Sequence, residues 1–224
     1  MTYYHGGKKN IGLDIAHVIY LITHSNGLNN YKGYCEPFCG MLGVYQYIPI
    51  QFQDDLKLMY LAGDKDENVI SMWKAVQKGW RPPTKVTKQE YDKLRISPTK
   101  SPKKTFVGHA CSYRGCFFSS QFNPKHNVHL QRDHVINIGN IMSKVKFKCG
   151  DYDQFSRIKK YIIYCDPPYK HTSHHFRVNG FNSDKFYDWC RYMSKNNIVF
   201  ISEYSMPSDF IKVWSNGKEC LFVI

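Results

Sequence analysis

The chain has 224 residues, of which 42% are hydrophobic and 16% aromatic, enough to form a packed core and to argue against wholesale disorder. It carries 31 Lys and Arg against 18 Asp and Glu, a formal charge of +13, and proteins this basic usually meet a polyanion or an anionic surface. No run of about 18 apolar residues is present, which excludes a membrane-spanning helix. We therefore expect no membrane partner. The first residues lack the apolar stretch of a secretory signal, so we expect the eight cysteines to be reduced thiols in an intracellular protein.

The first 80 residues alternate between predicted helices and strands. Apolar residues at helical spacing follow Asp66, which can cap the helix that they form. Pro49 should end the helix predicted over 44–51 early. Two short apolar runs are typical of strands. The predicted order is helix 11–23, strand 31–35, helix 44–51, strand 58–63 and helix 66–76.

Nearly all of the excess charge lies in residues 78–148, which hold 15 Lys and Arg against three acidic residues. Aromatic residues lie among these charges. The mixture favours a folded nucleic-acid-binding module, and a solvated Lys-rich insertion is the alternative. The patterns predict a helix from the capping box at 87–90, a loop over 97–105, a hairpin over 106–122 and a helix over 132–143.

The last third again alternates strand and helix. The Asn216-Gly217 pair favours a type I′ turn between two closing strands. Strands that alternate with helices, followed by an antiparallel hairpin, predict an α/β fold with an open, mostly parallel sheet. The predicted elements are strands 145–149, 161–165 and 198–202, helix 184–193, and a hairpin of 210–214 with 219–224.

The sequence Asp166-Pro167-Pro168-Tyr169 directly follows the predicted strand 161–165. In open α/β sheets, ligands bind beyond the carboxyl ends of the strands. The Asp166 side chain and the Pro167 carbonyl together provide two acceptors, which suit the two hydrogens of an exocyclic amine. Tyr169 provides a flat face on which a base can stack. The alternative is a rigid turn beside a surface carboxylate.

A second motif, Glu36-Pro37-Phe38-Cys39-Gly40-Met41-Leu42-Gly43, follows the strand 31–35. Its glycines allow the backbone to approach a ligand closely. Asp64 ends the next strand, where a carboxylate can accept hydrogen bonds from ribose hydroxyls. A glycine turn followed by such an Asp indicates a nucleotide site. The N-terminal motif Tyr4-His5-Gly6-Gly7-Lys8 lacks the spacing of a phosphate-binding loop and means little alone.

Histidines and cysteines are frequent enough to raise the question of a metal. Their spacing matches no standard zinc finger, so we predict no metal site. We expect the three histidines after the Asp166 motif to be solvated or to face phosphates. The residues concerned are His109, Cys111, Cys116, His126, His129 and His134 in the basic segment, and His171, His174 and His175 after the motif.

The order of these motifs resembles that of the Dam-type DNA adenine-N6 methyltransferases, an α-class amino-methyltransferase family. The N-terminal motif comes first, then the glycine turn, the strand-end Asp64, a basic insertion and the Asp166 motif. Residues 106–115 also resemble the recognition segment of compact phage-type and virus-type members. Residues 201–204 with Pro207, 209–210 and Trp214 resemble the C-terminal pattern of the same members.

The resemblance implies a Rossmann-like S-adenosylmethionine-dependent methyltransferase sheet formed by residues 1–80 and 144–224. Residues 81–143 would form an inserted DNA target-recognition region. It further implies S-adenosylmethionine as cofactor and double-stranded DNA as partner, and it leaves open a homodimer and a cognate restriction enzyme. The implied catalytic residues are Asp166, Pro167, Pro168 and Tyr169, and the implied cofactor-binding residues are Tyr4, Gly7, Lys8, Glu36, Phe38, Gly40, Asp64, Asp151, Tyr152 and Asp166.

Within the basic segment we predict two kinds of DNA contact. Lysines in loops should contact phosphates irrespective of sequence, namely Lys100, Lys103 and Lys104. Arg114, beside Tyr113 at the predicted hairpin tip, should reach a guanine edge in the major groove. The alternative is that Arg114 stacks on an aromatic ring at the surface.

The expected reaction is methylation of the N6 amine of an adenine that has been flipped out of the duplex. Asp166 and the Pro167 carbonyl would accept the two amine hydrogens and free the nitrogen lone pair. Two other functions stay open. One is an RNA base-amine methyltransferase, against which the long basic insertion argues. The other is a non-catalytic DNA-binding protein with a degenerate methyltransferase fold, against which the intact motifs argue.

Overall fold

The computed structural model describes residues 7–8, 10–52, 58–118, 121–123, 127–169 and 180–224. Its strands form one seven-stranded sheet in the order β3-β2-β1-β4-β5-β7-β6. The first five strands pair in parallel, and β7 pairs antiparallel with both β5 and β6. The strands are β1 Gly33–Glu36, β2 Met59–Asp64, β3 Lys146–Cys149, β4 Tyr161–Cys165, β5 Ile198–Glu203, β6 Ile211–Ser215 and β7 Cys220–Val223.

Seven α-helices cover the sheet within the described part of the chain. They are α1 Gly12–Ser25, α2 Ile48–Gln51, α3 Glu67–Gln77, α4 Lys88–Ile96, α5 Pro102–Ala110, α6 Val128–Ile141 and α7 Ser183–Ser194. None of these helices is long and apolar enough to cross a membrane. The α/β class with a mostly parallel sheet and a closing antiparallel hairpin is therefore confirmed.

The central strands are mostly apolar because helices bury both faces of the sheet. Every residue of β4 is buried. Successive side chains of a strand point to opposite faces, so Tyr34 packs into the core on the side of α1 and α3 and Cys35 into the core on the side of α7. The two cores hold the sheet rigidly and fix where its carboxyl ends lie.

Two predictions that treat proline as a helix terminator are wrong. Pro49 and Pro102 each lie in the first turn of a helix, α2 and α5, where the missing N–H has no intrahelical partner to lose. Ser101 caps α5 by accepting a hydrogen bond from the Lys104 N–H at 3.1 Å. The predicted loop over 97–105 is therefore a loop only as far as Ser101.

The predicted hairpin over 106–122 is also wrong. Its first part belongs to α5, and Tyr113–Gly115 form a 3-10 turn. Of residues 106–122 the structure describes all but 119 and 120, and their strand pairing is confined to an isolated bridge between Ser112 and Phe122. Phe106 and Val107 are fully buried, and burial of a helical face decides against the extended form. Arg114 thus lies in a 3-10 turn rather than at a hairpin tip.

The hairpin of β6 and β7 is present, but its turn is not the predicted type I′. Gly217 has a φ of +87°, whereas Asn216 is not among the described residues with positive φ. The Asn216 side-chain oxygen instead accepts hydrogen bonds from the N–H groups of Lys218 and Glu219, both at 2.9 Å. This side chain shapes a four-residue loop between the strands.

The helices of the basic segment do not stand apart, since α5 and α6 pack against α3 and α4 packs against α5. Tyr91 of α4, Phe106 of α5 and Val135 of α6 are fully buried in the same core that covers one face of the sheet. The predicted helix beginning at Thr87 is confirmed, and the Thr87 hydroxyl accepts from the Glu90 N–H at 3.1 Å. The division into a catalytic domain and an inserted recognition region stays a prediction.

Candidate active site

A cavity of about 610 Å³ opens at the carboxyl ends of β1, β2 and β4. Pockets of small-molecule ligands commonly measure about 300–1,000 Å³. The cavity lies at the point where the strand order reverses, since β2 and β4 flank β1 on opposite sides. This is the position at which open α/β sheets bind their ligands.

The turn after β4 forms one wall of the cavity, and residues 166–169 all line it. β4 is buried and pairs on both sides with parallel strands, so the direction of the turn is set by the sheet. Tyr164, near the end of β4, is tied to β5 by a hydrogen bond between its hydroxyl and that of Ser202 at 2.8 Å. The Tyr169 ring meets the ring of Tyr204 edge to face, with centroids 4.8 Å apart.

A buried ammonium group joins this turn to two other parts of the chain. Lys8, which is 5% exposed, places its Nζ 2.7 Å from Asp166 Oδ1 and 3.1 Å from Glu219 Oε2. The same ammonium donates to the Tyr169 hydroxyl at 2.7 Å. The Tyr169 hydroxyl in turn donates to Glu219 Oε2 at 3.1 Å. We call these four residues the Lys8 network.

Burial and charge oppose each other in this network. Burial lowers the pKa of Lys8, but Asp166 and Glu219 more than offset that effect and leave the pKa above its usual value. Burial raises the pKa of the Asp166 carboxyl, and the Lys8 ammonium offsets only part of that rise. Burial also raises the pKa of Tyr169, so its hydroxyl stays protonated and can act as a donor.

The glycine turn after β1 forms a second wall. Gly40 has a φ of +44°, a conformation that side chains disfavour. Its N–H donates to Asp64 Oδ2 at 2.9 Å, and its carbonyl accepts from the Trp73 indole at 3.0 Å. Asp64 Oδ1 accepts from the Asp66 N–H at 2.8 Å. The carboxylate is thus held rigidly between the glycine turn and the start of α3.

Burial raises the pKa of Asp64, and the N–H groups of Asp66 and Gly40 offset part of that rise. Each carboxylate oxygen has two lone pairs, so a backbone bond to each leaves acceptor capacity for a hydroxyl. Glu36 at the end of β1 is more buried, at 2% exposed, and accepts from the Tyr34 hydroxyl at 2.8 Å. Its burial raises its pKa.

Aromatic rings form the third wall. Phe38 stacks on Tyr152 with centroids 5.6 Å apart, and Phe181 meets Phe38 edge to face at 5.9 Å. Asp151 accepts from the Tyr152 N–H at 2.8 Å and pairs with Lys65 at 3.4 Å at the rim. An aromatic wall with a carboxylate at its edge suits the face of a flat heterocycle.

The structure brings the predicted catalytic and cofactor residues together. All four predicted catalytic residues line the cavity. The predicted cofactor-binding residues that line it are Gly7, Lys8, Glu36, Phe38, Gly40, Asp64, Asp151, Tyr152 and Asp166. Tyr4 and His5 lie outside the described residues, as do His126, His171, His174 and His175. The roles of these residues stay predictions.

The predicted DNA-binding residues lie apart from the cavity lining. Lys100 pairs with Glu67 at 2.6 Å, and Lys103 pairs with Glu90. Lys104 donates to the Ser97 carbonyl. Their amino groups therefore hold α3, α4 and α5 in place, in addition to any role toward DNA. Tyr113 is 55% exposed, and Arg114 lies in the 3-10 turn that follows α5.

Several cavity residues were not predicted from the sequence. Glu219, Tyr204, Phe181 and His134 line the cavity without having been assigned to it. Phe181 lies 12 positions after Tyr169 and could have been suspected as a ring near a base site. Glu219 carried no signal, since a carboxylate beside a hairpin turn is ordinarily a solvated surface group.

No group of three or more His, Cys, Asp or Glu able to hold a metal occurs among the described residues. His109 is 5% exposed, and its Nδ1 lies 3.1 Å from the Gly115 carbonyl oxygen, so this ring ties α5 to the 3-10 turn. Burial lowers its pKa. This imidazole is thus part of the packing of the basic segment.

Part of the chain matches a family of known proteins. Residues 118–192 match the model of the D12 class N6 adenine-specific DNA methyltransferases. The resemblance predicted from the motifs is thereby confirmed for this segment, which spans β3, β4, the Asp166 turn and most of α7. No curated protein sequence matches the chain.

Two solved structures are similar in chain path. SMU.472, described as a methyltransferase in complex with SAH, is 10% identical with a TM-score of 0.43 and covers 98% of this chain. The protein yhhF of Escherichia coli, also described as a methyltransferase, is 8% identical with a TM-score of 0.39 and covers 92% of this chain. The chain spans 54% of SMU.472 and 84% of yhhF. The function is therefore inferred from the matched segment and the cavity.

Proposed function

We propose that this chain is an S-adenosylmethionine-dependent DNA methyltransferase that methylates the N6 amine of adenine. The observation that carries the proposal is the Asp166-Pro167-Pro168-Tyr169 turn, which lies in the matched segment and lines the cavity at the end of β4. The glycine turn and Asp64 line the same cavity. The methyl donor and the base that accepts the methyl group would therefore share one cavity.

The residues of the cavity fit S-adenosylmethionine. Phe38 and Tyr152 offer an aromatic surface for its adenine, and Asp64 offers acceptor capacity for ribose hydroxyls. The left-handed turn at Gly40 lets the backbone pass close to the methionine part. When bound, this cofactor supplies an electrophilic methyl group on sulfur.

The chain's own residues would activate and orient the amine. The adenine amine is a weak nucleophile because its lone pair is conjugated with the ring. Asp166 Oδ1 is held by Lys8, and we assign Oδ2 and the Pro167 carbonyl to the two amine hydrogens. Two fixed acceptors favour a pyramidal nitrogen whose lone pair is free to attack. The Tyr169 ring would stack on the base.

Duplex DNA as the substrate is supported by charge. The basic segment lies between Asp64 and Asp166 in the sequence, and its helix α6 contributes His134 to the cavity lining. A target base inside a duplex must be flipped out to reach such a cavity. The cationic surface would bind the phosphates and offset part of the unstacking energy.

The test is transfer of labelled methyl groups from S-adenosylmethionine to unmethylated duplex DNA, single-stranded DNA and RNA, followed by nucleoside analysis. We expect label in N6-methyldeoxyadenosine from the duplex, and at least about a hundredfold less with the Asp166→Asn variant. Label in RNA alone would show that the substrate is RNA and not DNA. Binding of S-adenosylmethionine without transfer to any nucleic acid would indicate a non-catalytic DNA-binding protein and would overturn the proposal.

A further inference from the structure

The C-terminal hairpin delivers a second carboxylate to the active site. Glu219 directly precedes β7, which pairs with β5 in the body of the sheet. Its backbone N–H is held by the Asn216 side chain at 2.9 Å. The Glu219 side chain is 28% exposed and lines the same cavity as Asp166. Its position is therefore set by the sheet and the hairpin loop together.

Glu219 contacts two members of the proposed catalytic machinery. Its Oε2 lies 3.1 Å from the Lys8 ammonium and 3.1 Å from the Tyr169 hydroxyl. Lys8 meanwhile reaches Asp166 and Tyr169, each at 2.7 Å. One carboxylate oxygen thus accepts from both groups that flank the reacting side chain. Hydrogen bonds to an ionised carboxylate are roughly twice as strong as those between neutral groups.

The charges explain why a second carboxylate is useful there. With Asp166 as its sole anionic partner, the Lys8 ammonium would be drawn fully onto the carboxylate that must face the amine. Glu219 divides the attraction of the ammonium between two carboxylates. It also gives the Tyr169 hydroxyl an acceptor, which fixes the rotation of that hydroxyl and helps to hold the ring.

We infer that Glu219 is a positioning residue of the active site, which holds Lys8 and Tyr169 so that Asp166 and the Tyr169 ring meet the target base. This inference rests on the proposed function. It assigns Glu219 no contact with cofactor or base. It predicts a larger effect on turnover than on cofactor affinity, which can change only indirectly through Lys8.

The charge of Glu219 also allows a readout that a purely structural role would not change. The groups that face Asp166 are Lys8 from the N-terminal segment, Glu219 from the hairpin, Tyr169 from its own turn, Tyr164 from β4 and Glu36 from β1. Burial is the main cause of the raised pKa of Asp166, and the Glu219 carboxylate adds to the rise by repelling negative charge on Asp166. Its removal should therefore lower the pH at which activity is lost in acid.

The experiment compares Glu219→Gln and Glu219→Ala with the wild-type protein and with Asp188→Asn as a matched surface control. Asp188 pairs with Arg191, which keeps Asp209 as its second partner, so the control removes a surface charge at little cost. The measurements are kcat for methyl transfer to duplex DNA across pH, the Kd for S-adenosylmethionine, and the thermal midpoint. Glu219→Gln preserves shape and an acceptor, so it remains informative if the alanine variant does not fold.

We expect Glu219→Ala to lower kcat by about tenfold or more, since small misplacements of reacting groups cost about that much or more. We expect Glu219→Gln to lose less, with its acidic limb displaced to lower pH, and the loss of kcat to exceed any change in cofactor Kd in both variants. A kcat and an acidic limb like those of the Asp188→Asn control would overturn the assignment of Glu219. A wild-type protein that binds the cofactor but methylates nothing would instead overturn the proposed function, and the role of Glu219 would fall with it.

Discussion

The Asp166 carboxylate has two predicted tasks, to accept from the target amine and to neutralise a buried lysine. The 2.7 Å distance to Lys8 fixes its orientation before any substrate arrives. Breaking a buried ion pair by removing one partner typically costs about 3–5 kcal/mol, because the other charge stays buried. Variants at this site must therefore be assayed for folding as well as for activity.

At position 166 we expect Asp166→Asn to reduce methyl transfer by at least about a hundredfold, a barrier increase of about 2.7 kcal/mol. The amide keeps the size of the carboxylate but replaces one acceptor by a donor that faces the amine hydrogens. Circular dichroism and the thermal midpoint verify folding, and Asp188→Asn is the control. Transfer within about tenfold of the wild-type rate would contradict the role given to Asp166.

Asp64 differs from Asp166 because its partners are backbone groups. Asparagine at this position offers one oxygen for two N–H donors, so either Gly40 or Asp66 loses its acceptor. We expect Asp64→Asn to weaken S-adenosylmethionine binding about tenfold or more and to cost roughly 1–3 kcal/mol of stability. Calorimetric titration and chemical denaturation measure the two effects. An unchanged Kd would remove Asp64 from the cofactor site.

At the scale of elements, α1 and the glycine turn depend on each other for their positions. A Cβ on Gly12, at the start of α1, would lie 2.2 Å from the Gly43 carbonyl oxygen, and one on Gly43 would lie 3.0 Å from the Lys8 N. Three segments thus meet where only backbone fits. This junction connects α1 to the cavity wall that the glycine turn forms, and to the Lys8 network.

We expect Gly12→Ala to lower the thermal midpoint by several degrees, because a clash with backbone costs about 1–3 kcal/mol. It should also weaken S-adenosylmethionine binding, since the glycine turn must shift to make room. Leu13→Ala is the control, because Leu13 is 50% exposed on the same turn of helix. If Gly12→Ala matched Leu13→Ala in both measurements, the close approach would be unimportant.

Arg114, the predicted base reader, lies on a 3-10 turn and not at the predicted hairpin tip. The 3-10 turn Tyr113–Gly115 is tied to α5 through His109 and the Gly115 carbonyl. We expect Arg114→Ala to reduce discrimination at one base of the preferred site by roughly 1–3 kcal/mol and to reduce affinity for random DNA far less. Methylation of a randomised duplex library measures this. An unchanged sequence preference at normal activity would exclude Arg114 as a base reader.

At the scale of the whole molecule, the charge of +13 should make the affinity of the proposed DNA binding depend strongly on salt concentration. We expect the pair Lys100→Gln and Lys103→Gln to weaken binding to every duplex and to lower the salt slope by about one unit for each phosphate that is no longer bound. Lys195→Gln with Lys212→Gln removes the same charge outside the basic segment and is the control. Equal salt slopes for the two double variants would show that Lys100 and Lys103 do not contact phosphates. Their role would then be the ion pairs with Glu67 and Glu90.

Sequence by itself determined the features that depend on neighbours a few positions apart. The caps at Asp66 and Thr87 and the buried strand 161–165 follow from short patterns, and the structure has them. The Asp166 motif could be placed at a strand end for the same reason. Helix α5 was not predicted because prolines favour a loop over 97–105, although a serine cap followed by proline also favours a helix start.

Only the tertiary structure decided which distant residues meet. Lys8 and Tyr169 are 161 positions apart, and Tyr169 and Glu219 are 50 positions apart, yet they form one network. Such contacts depend on the order and register of the strands, which place the end of β4 beside the start of β7 through β5. No local pattern encodes that order, because it arises from burying both faces of the sheet at once. The predicted site residues were therefore within reach of the sequence, whereas the carboxylate that joins them was not.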